Sequence, residues 1–393
     1  MRGVVRKIYL ICLGLFALGA GAEGLTPLSG EVSGTLTRQH SPYFVEGTLR
    51  VPPGQTLVVE PGVILKFRGY RKFRDPDLGR LVVEGAIRAV GTPDLPIIFT
   101  SETDDEAGGD TNGDGYATRP HPAEWGWIEV LGAPVEAIDP YQPRLDASFT
   151  PSRPGEEKGK AGLLGVPFGA IVIEKGETTS PSPDTTREKL DTPSLSARGE
   201  GGGQGVGEVA FRDTASVLER CIIRYCSFHW ALNLYTSATV RNCEVVDCES
   251  VGIGVLFGRS RIEGCLISRN SSRGIRLHAG ASADIVGNRI LNNVMEGIDV
   301  GFSPGVVVRD NVISGHLVGI SNPTGSTLIE GNVIAGNEIG LNNPHDFVRV
   351  EAVDNYWGDP SGPRGPLNPD GKGDRVSDYV DFIPFLKERP KGL

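Results

Sequence analysis

From Ser216 onward the apolar residues come in short bursts at a near-constant interval, separated by Gly, Asn and Cys. The unit reads aliphatic-x-x-(Cys or Asn)-x-aliphatic. Copies run Leu218 to Ile223 around Cys221, Val240 to Val245 around Cys243 and Ile262 to Ile267 around Cys265. They continue as Ile285 to Ile290 around Asn288, Val308 to Ile313 around Asn311 and Ile329 to Ile334 around Asn332, with a degenerate copy at Asn355. Successive anchors are 22, 22, 23, 23, 21 and 23 residues apart. A second column lies five residues after the first, at Cys226, Cys248, Asn270, Asn293, His316 and Asn337. Shortly after it come Gly252-Ile253, Gly274-Ile275, Gly297-Ile298, Gly319-Ile320 and Gly340-Leu341.

No helical period runs through these copies. Helical repeats of about 33–47 residues are too long, and the Leu-x-x-Leu-x-Leu string of leucine-rich repeats is missing. The pattern predicts an all-β parallel solenoid with two or three short strands per turn. Each position then stacks about one strand spacing, ~4.8 Å, above its predecessor. Inward positions become aliphatic columns. Asn at a bend becomes a ladder, its amide bonding the neighbouring rung and its backbone tolerating the left-handed conformation that bends need. Cys fits the same columns as a small, buried, reduced thiol. Its spacing is a poor match to zinc, and parallel ladder side chains give poor disulfide geometry.

On these residues the chain resembles the right-handed parallel β-helix proteins of the pectin-lyase-like superfamily, in particular exported NosD-like proteins. Ser41 to Gly47, Pro53-Gly54, Glu60 to Ile64 and Phe99 to Ser101 resemble the opening rungs of such proteins. Asn355-Tyr356-Trp357-Gly358 and Val380-Asp381-Phe382 resemble their closing rung and tail. The resemblance implies a capped right-handed β-helix across residues 28–130 and 208–386. It implies little about activity, because this fold hosts lyases, hydrolases, epimerases, adhesins and binding modules.

Composition agrees and adds limits. The 54 Gly and 28 Pro of 393 residues are too many for a helical bundle. A net charge of −10 without a basic stripe argues against nucleic acid. Residues 1–22 read as a signal peptide: basic Arg2, Arg6 and Lys7, an apolar stretch from Ile8 to Ala20, and an Ala20-Gly21-Ala22 cleavage site. No later segment is apolar enough to span a membrane. The expectation is a monomeric protein, secreted or periplasmic. Residues 23–130 then hold the N-terminal cap and first rungs, 131–207 a Pro/Gly/Ser-rich insertion, and 208–393 the main repeats and closing rung. The insertion, with one strand-like stretch at Gly169 to Glu174, reads as a mobile excursion from one rung.

Two sets of residues carry candidate chemistry. Asp110, Asn112 and Asp114, followed by Gly115, place oxygen ligands at alternate positions before a sharp turn. That is the first half of a calcium loop, to which Tyr116 would add its carbonyl. The twelfth position is His121 instead of the bidentate Glu; the nearest acid beyond it is Glu124, and Asp104, Asp105 and Glu106 lie upstream. A structural Ca2+ between two rungs is the expectation; a metal-free Asp/Asn/Gly turn is the plainer alternative. A weaker acidic cluster is Asp370, Asp374 and Asp378. No other cofactor is expected, and copper would need softer ligands than a single mature-chain Met (Met295) supplies.

The second set lies on outward positions of neighbouring rungs: Arg276, His278, Glu296 and Asp299, with Arg273. These side chains could hold a sugar carboxylate or serve as acid and base. They could equally be cross-strand ion pairs on a solvated face. Trp125, Trp127, Trp230 and Tyr235 could add a stacking surface, with Trp125 and Trp127 more apt to pack a rung. The motifs of polygalacturonase-like hydrolases and alginate epimerases are missing, and Pro344-His345-Asp346 reads as a turn. The expected function is non-catalytic binding of carbohydrate or another cell-envelope partner. A polysaccharide lyase or glycoside hydrolase acting on an outward groove is the alternative.

Overall fold

The computed structural model describes residues 25–72, 75–132, 216–226 and 229–393. The expected signal peptide, and the 131–207 insertion except for Leu131 and Gly132, lie outside them. Among the described residues the only helical element is a 3-10 turn, Arg38–His40. Among these residues no helix is long and apolar enough to cross a membrane.

The strands pair in parallel and form three ladders that wind around one core. The first ladder is a nine-stranded sheet from Gly34–Leu36 to Leu328–Glu330. The second and third share an eighteen-stranded sheet. They join because Tyr43–Val51 runs unbroken through a corner that later rungs make with a bend. Its first part pairs with Leu65 to Phe67, its second with Arg80–Val83.

Register turns the sequence period into columns. In the first ladder Leu36, Val59, Ala89, Leu218, Val240, Ile262, Ile285, Val308 and Ile329 stack in line, all buried. The second stacks Leu65, Phe99, Ile223, Val245, Ile267, Ile290, Ile313 and Ile334. The third stacks Leu49, Leu81, Ile128, Leu232, Ile253, Ile275, Ile298, Ile320 and Leu341. Each such side chain contributes about 1.5–3 kcal/mol by leaving water. One rung alone cannot bury any of them, so the columns exist only through stacking.

The strand-forming chain leaves the coil after Val130 and rejoins it at Ser216 without skipping a level. Leu218 pairs with Ala89, and Leu232 pairs with Ile128.

Both corners carry the anchor columns. Asn288, Asn311, Asn332 and Asn355 form a continuous buried ladder. In each step the lower Asn donates its backbone N–H and its Nδ2 to the next Oδ1, at 2.9–3.0 Å. Cysteine continues the column: Cys221 N–H donates to Cys243 Sγ at 3.4 Å, and Cys265 N–H to Asn288 Oδ1 at 2.9 Å. All five described cysteines are buried and unbridged. The left-handed residue at each corner is the one before the anchor, such as Asn242 (φ 53°), Asp310 (φ 57°) and Asn292 (φ 53°). The anchor Asn was expected to take that conformation itself. It does not, because its side chain must point inward along the column while its predecessor turns the chain.

Glycines at the second corner answer a close approach. A Cβ on Gly274 would lie 2.6 Å from the carbonyl oxygen of Gly297, and one on Gly297 2.7 Å from that of Gly319. The Gly-Ile repeat thus couples one backbone contact to one core side chain. The tail closes both columns. Asn355 Nδ2 bonds the carbonyls of Ile329, Ala352 and Val353. Asp374 accepts from the N–H groups of Gly336 and Asn337 and from Asn337 Nδ2 at 2.8–2.9 Å. Its carboxylate is committed to this cap, which corrects its reading as part of an acidic cation cluster.

His316 replaces Asn in the second column. Its Nδ1 lies 3.1 Å from the backbone N of Asn293 and 3.0 Å from that residue's carbonyl oxygen, and its Nε2 lies 3.0 Å from Ile290 O. Burial, opposed by the carbonyls of Asn293 and Ile290, holds its pKa below the ordinary 6.5. The folded state therefore favours the neutral ring. This contribution is present above the unfolded value and is lost as pH falls through the lower folded one. Thermal melts at about pH 7 and pH 5 should show a larger drop for the native chain than for His316→Asn. Equal drops would mean that His316 does not titrate across the transition.

Candidate functional site

The third ladder presents one outward row: Val82, Glu129, Asn233, Gly254, Arg276, Asp299, Ser321 and Asn342. At its centre lies the indole of Trp230. A Cβ on Gly254 would fall 1.7 Å from Trp230 Cε3, so the ring lies over Gly254 only because that residue has no side chain. The Arg276 guanidinium sits 5.6 Å from the Trp230 ring centroid. Two rungs before Gly254 the arrangement recurs: Arg80 lies 5.5 Å over the half-exposed ring of Trp127, which meets His229 at 4.4 Å. A guanidinium over an indole is a favourable cation–π contact. Glu129 joins this patch, and desolvation pushes its carboxyl above the usual range, opposed by Trp127 and by the charge of Arg80.

The charged residues expected on this face do meet. Arg273 Nε lies 2.8 Å from Glu296 and 3.0 Å from Asp299, and Arg276 Nε lies 3.5 Å from Asp299. The two acids are only 16–17% exposed at the side chain, and both share Arg273. His278 follows on the same strand direction but is exposed, and its ring makes no hydrogen bond or ion pair with the described residues. Glu129 and Asp299 stand four rungs apart, ~19 Å at one strand spacing each. Paired carboxylates that cleave glycosides stand about 5–9.5 Å apart. Those two cannot form such a pair.

Trp125 and Trp127 divide their roles. Trp125 is fully buried, stacked on Phe67 at 4.1 Å, with Nε1 donating to Arg224 O at 2.8 Å. Trp127 turns outward.

The loop from Glu102 to Trp127 leaves the second corner and returns to the third ladder. Asp110 folds its start: its carboxylate accepts from the N–H groups of Gly113, Asp114 and Gly115 at 2.8–3.2 Å. Asp114 accepts from Ala117 and Thr118, and Asn112 Nδ2 donates to it at 3.0 Å. The Thr118 hydrogen bonds hold Asp114 below the usual carboxylate range. One oxygen each from Asp105, Asp110 and Asp114 lie within 4.8 Å of one another. Burial, then the nearby Asp110 charge, pushes Asp105 upward. Tyr116 is exposed, with φ 70°. Glu124 does not join the cluster: it accepts from Thr103 Oγ1 at 2.5 Å and lies 3.4 Å from His121 Nε2. Asp105 occupies the place that sequence spacing offered to Glu124.

Residues 202–339 match the family described as right-handed beta helix region. The chain is a right-handed parallel β-helix. By three-dimensional likeness this β-helix resembles crystal structures of variants of the periplasmic alginate epimerase AlgG. One matches with a TM-score of 0.39 at 11% identity, covering 92% of this chain and 83% of that one. Another has a TM-score of 0.37 at 10% identity, covering 91% and 76%. No curated protein matches the sequence.

By count of residues alone the acidic loop would lie five or more rungs from Arg276. In the β-helix the strand that ends the loop, Ile128–Val130, is three rungs from the strand Ile275–Leu277. The overestimate comes from counting residues 133–215, which separate the paired strands Ile128–Val130 and Leu232–Leu234 in sequence. The same interruption hid Arg80, Glu129 and His229, since no periodic copy aligns them with Arg276. Only the alternation of Trp127, Ile128, Glu129 and Val130 hinted at an outward Glu129.

Proposed function

We propose that this β-helix is an exported protein that binds an anionic polysaccharide along the third ladder, without cleaving it. The observation that carries the proposal is the Trp230 indole seated over Gly254 beneath Arg276. A flat ring beside a cation suits the apolar face of a sugar and a neighbouring carboxylate. Trp127 with Arg80 offers a second such place along the same face. Rungs repeat at ~4.8 Å, so an extended chain of sugars can lie along the row and meet several of these groups. Non-catalytic binding is supported by the commitment of Glu296 and Asp299 to Arg273, and by the separation of Glu129 from Asp299. Export is supported by the basic-then-apolar segment at residues 1–22.

Calorimetry against a panel of acidic and neutral polysaccharides tests this. Binding is expected for an acidic polymer, with no release of reducing ends. Trp230→Ala should weaken it about tenfold. Gly254→Val should do the same while keeping the ring, because it displaces the indole. Reducing ends released in a manner that Asp299→Asn abolishes would replace the proposal with an enzymatic one. Unchanged affinity in both variants would move the ligand off this face.

A further inference from the structure

We propose that Asp105, Asp110 and Asp114 hold a hard divalent cation, of which calcium is the best fit, and that Asp105 completes the site from outside the loop. Three carboxylates converge here, with oxygens within 4.8 Å of one another. Convergence alone is common on acidic surfaces. Asp105 makes this case different: it is 8% exposed, and among the described residues both its oxygens are buried without a hydrogen-bond partner. An ionised carboxylate in that position is strongly unfavourable unless a cation faces it.

The cationic side chains nearby make no ion pair with it, although the charge of Lys66 acts on it. Arg224 is bound to Asp104, with Nε at 2.8 Å and Nη2 at 2.6 Å from one carboxylate oxygen. Lys66 is fully buried and directs its Nζ to Gly109 O at 2.8 Å and Thr111 Oγ1 at 2.7 Å. Both acceptors are neutral. Among the described residues no ion pair engages Asp105, Asp110 or Asp114.

The donor set selects the cation. All three side chains offer carboxylate oxygen, with no sulfur or imidazole in the group, which suits calcium over zinc or copper. Asp110 and Asp114 sit at the first and fifth places of a loop whose backbone is already folded around the Asp110 carboxylate. A bidentate acid normally closes such a loop from its twelfth place. Here Asp105, five residues before the loop begins, approaches from the buried side. The cation would tie the exposed loop to the second corner of the coil, where Lys66 and Asp104 are anchored.

The test is calorimetric titration of the full mature chain, stripped with chelator, using calcium chloride, with thermal melts in parallel. The native chain should bind calcium and melt at a higher temperature when loaded. Asp105→Asn should weaken binding at least about tenfold. The same variant should melt higher than the native chain when both are calcium-free, because it removes an uncompensated buried charge. Asp110→Asn should also lose binding, whereas Glu124→Gln should keep it. No binding by the native chain, or native affinity in Asp105→Asn, would overturn the assignment. Loss of binding in Glu124→Gln with retention in Asp105→Asn would return the site to the arrangement that sequence spacing suggested.

Discussion

Replacing Asn311 by leucine is expected to cost roughly 4 kcal/mol. Asn311 is fully buried in the middle of the asparagine column. Its Oδ1 accepts from Asn288 N–H and Asn288 Nδ2 at 2.9 and 3.0 Å. Its Nδ2 donates to Ile285 O and Asn332 Oδ1 at 2.9 and 3.0 Å. Leucine keeps the volume but breaks all four bonds inside the protein, where water cannot replace them. At about 1 kcal/mol or more for each group left without that partner, the loss outweighs any gain from an added apolar side chain. Urea denaturation should report it as a lower midpoint. Asn311→Cys should fall between, since the column accepts Cys at 221, 243 and 265 and sulfur retains a weak acceptor. A leucine variant within about 1 kcal/mol of the native chain would mean that the column sets register and contributes little stability.

Arg224→Met should cost about 3–5 kcal/mol. Arg224 reaches from the second ladder to Asp104 in the preceding rung's loop, and Asp104 is fully buried. Without the guanidinium, Asp104 keeps, among the described residues, only the Thr100 hydroxyl as a side-chain hydrogen-bond partner. An unpaired buried charge is far more costly than the pair was favourable. The double variant Asp104→Asn, Arg224→Met should therefore recover much of the loss. Denaturation of the two singles and the double forms a cycle. Simple additivity would show that Arg224 acts through packing on Tyr225, over which it also lies, and not through the charge.

The two substitutions probe different kinds of information in the chain. The Asn311 column was legible because its members recur at a near-constant interval and are chemically alike. Arg224 and Asp104 are 120 residues apart, in a rung interrupted by residues 133–215, and no periodic cue links them. The charged patch falls between these cases. Arg273, Arg276, Glu296 and Asp299 lie in adjacent intact copies, so spacing placed them together. Spacing could not tell that Arg273 is shared by both acids, which depends on side-chain direction.

What the sequence determined by itself was the coil: its rung length, inward columns, two ladders and closing Asn355. In a solenoid, residues in contact are one period apart, so periodicity along the chain amounts to a contact map. Tertiary structure alone decided what meets outside the period. It set Trp230 over Gly254, laid Arg80 over Trp127 and brought Asp105, in place of Glu124, against Asp110 and Asp114. The loops that carry these groups have no repeat to copy. Their positions follow from burial, charge pairing and steric fit against a coil that must already be formed.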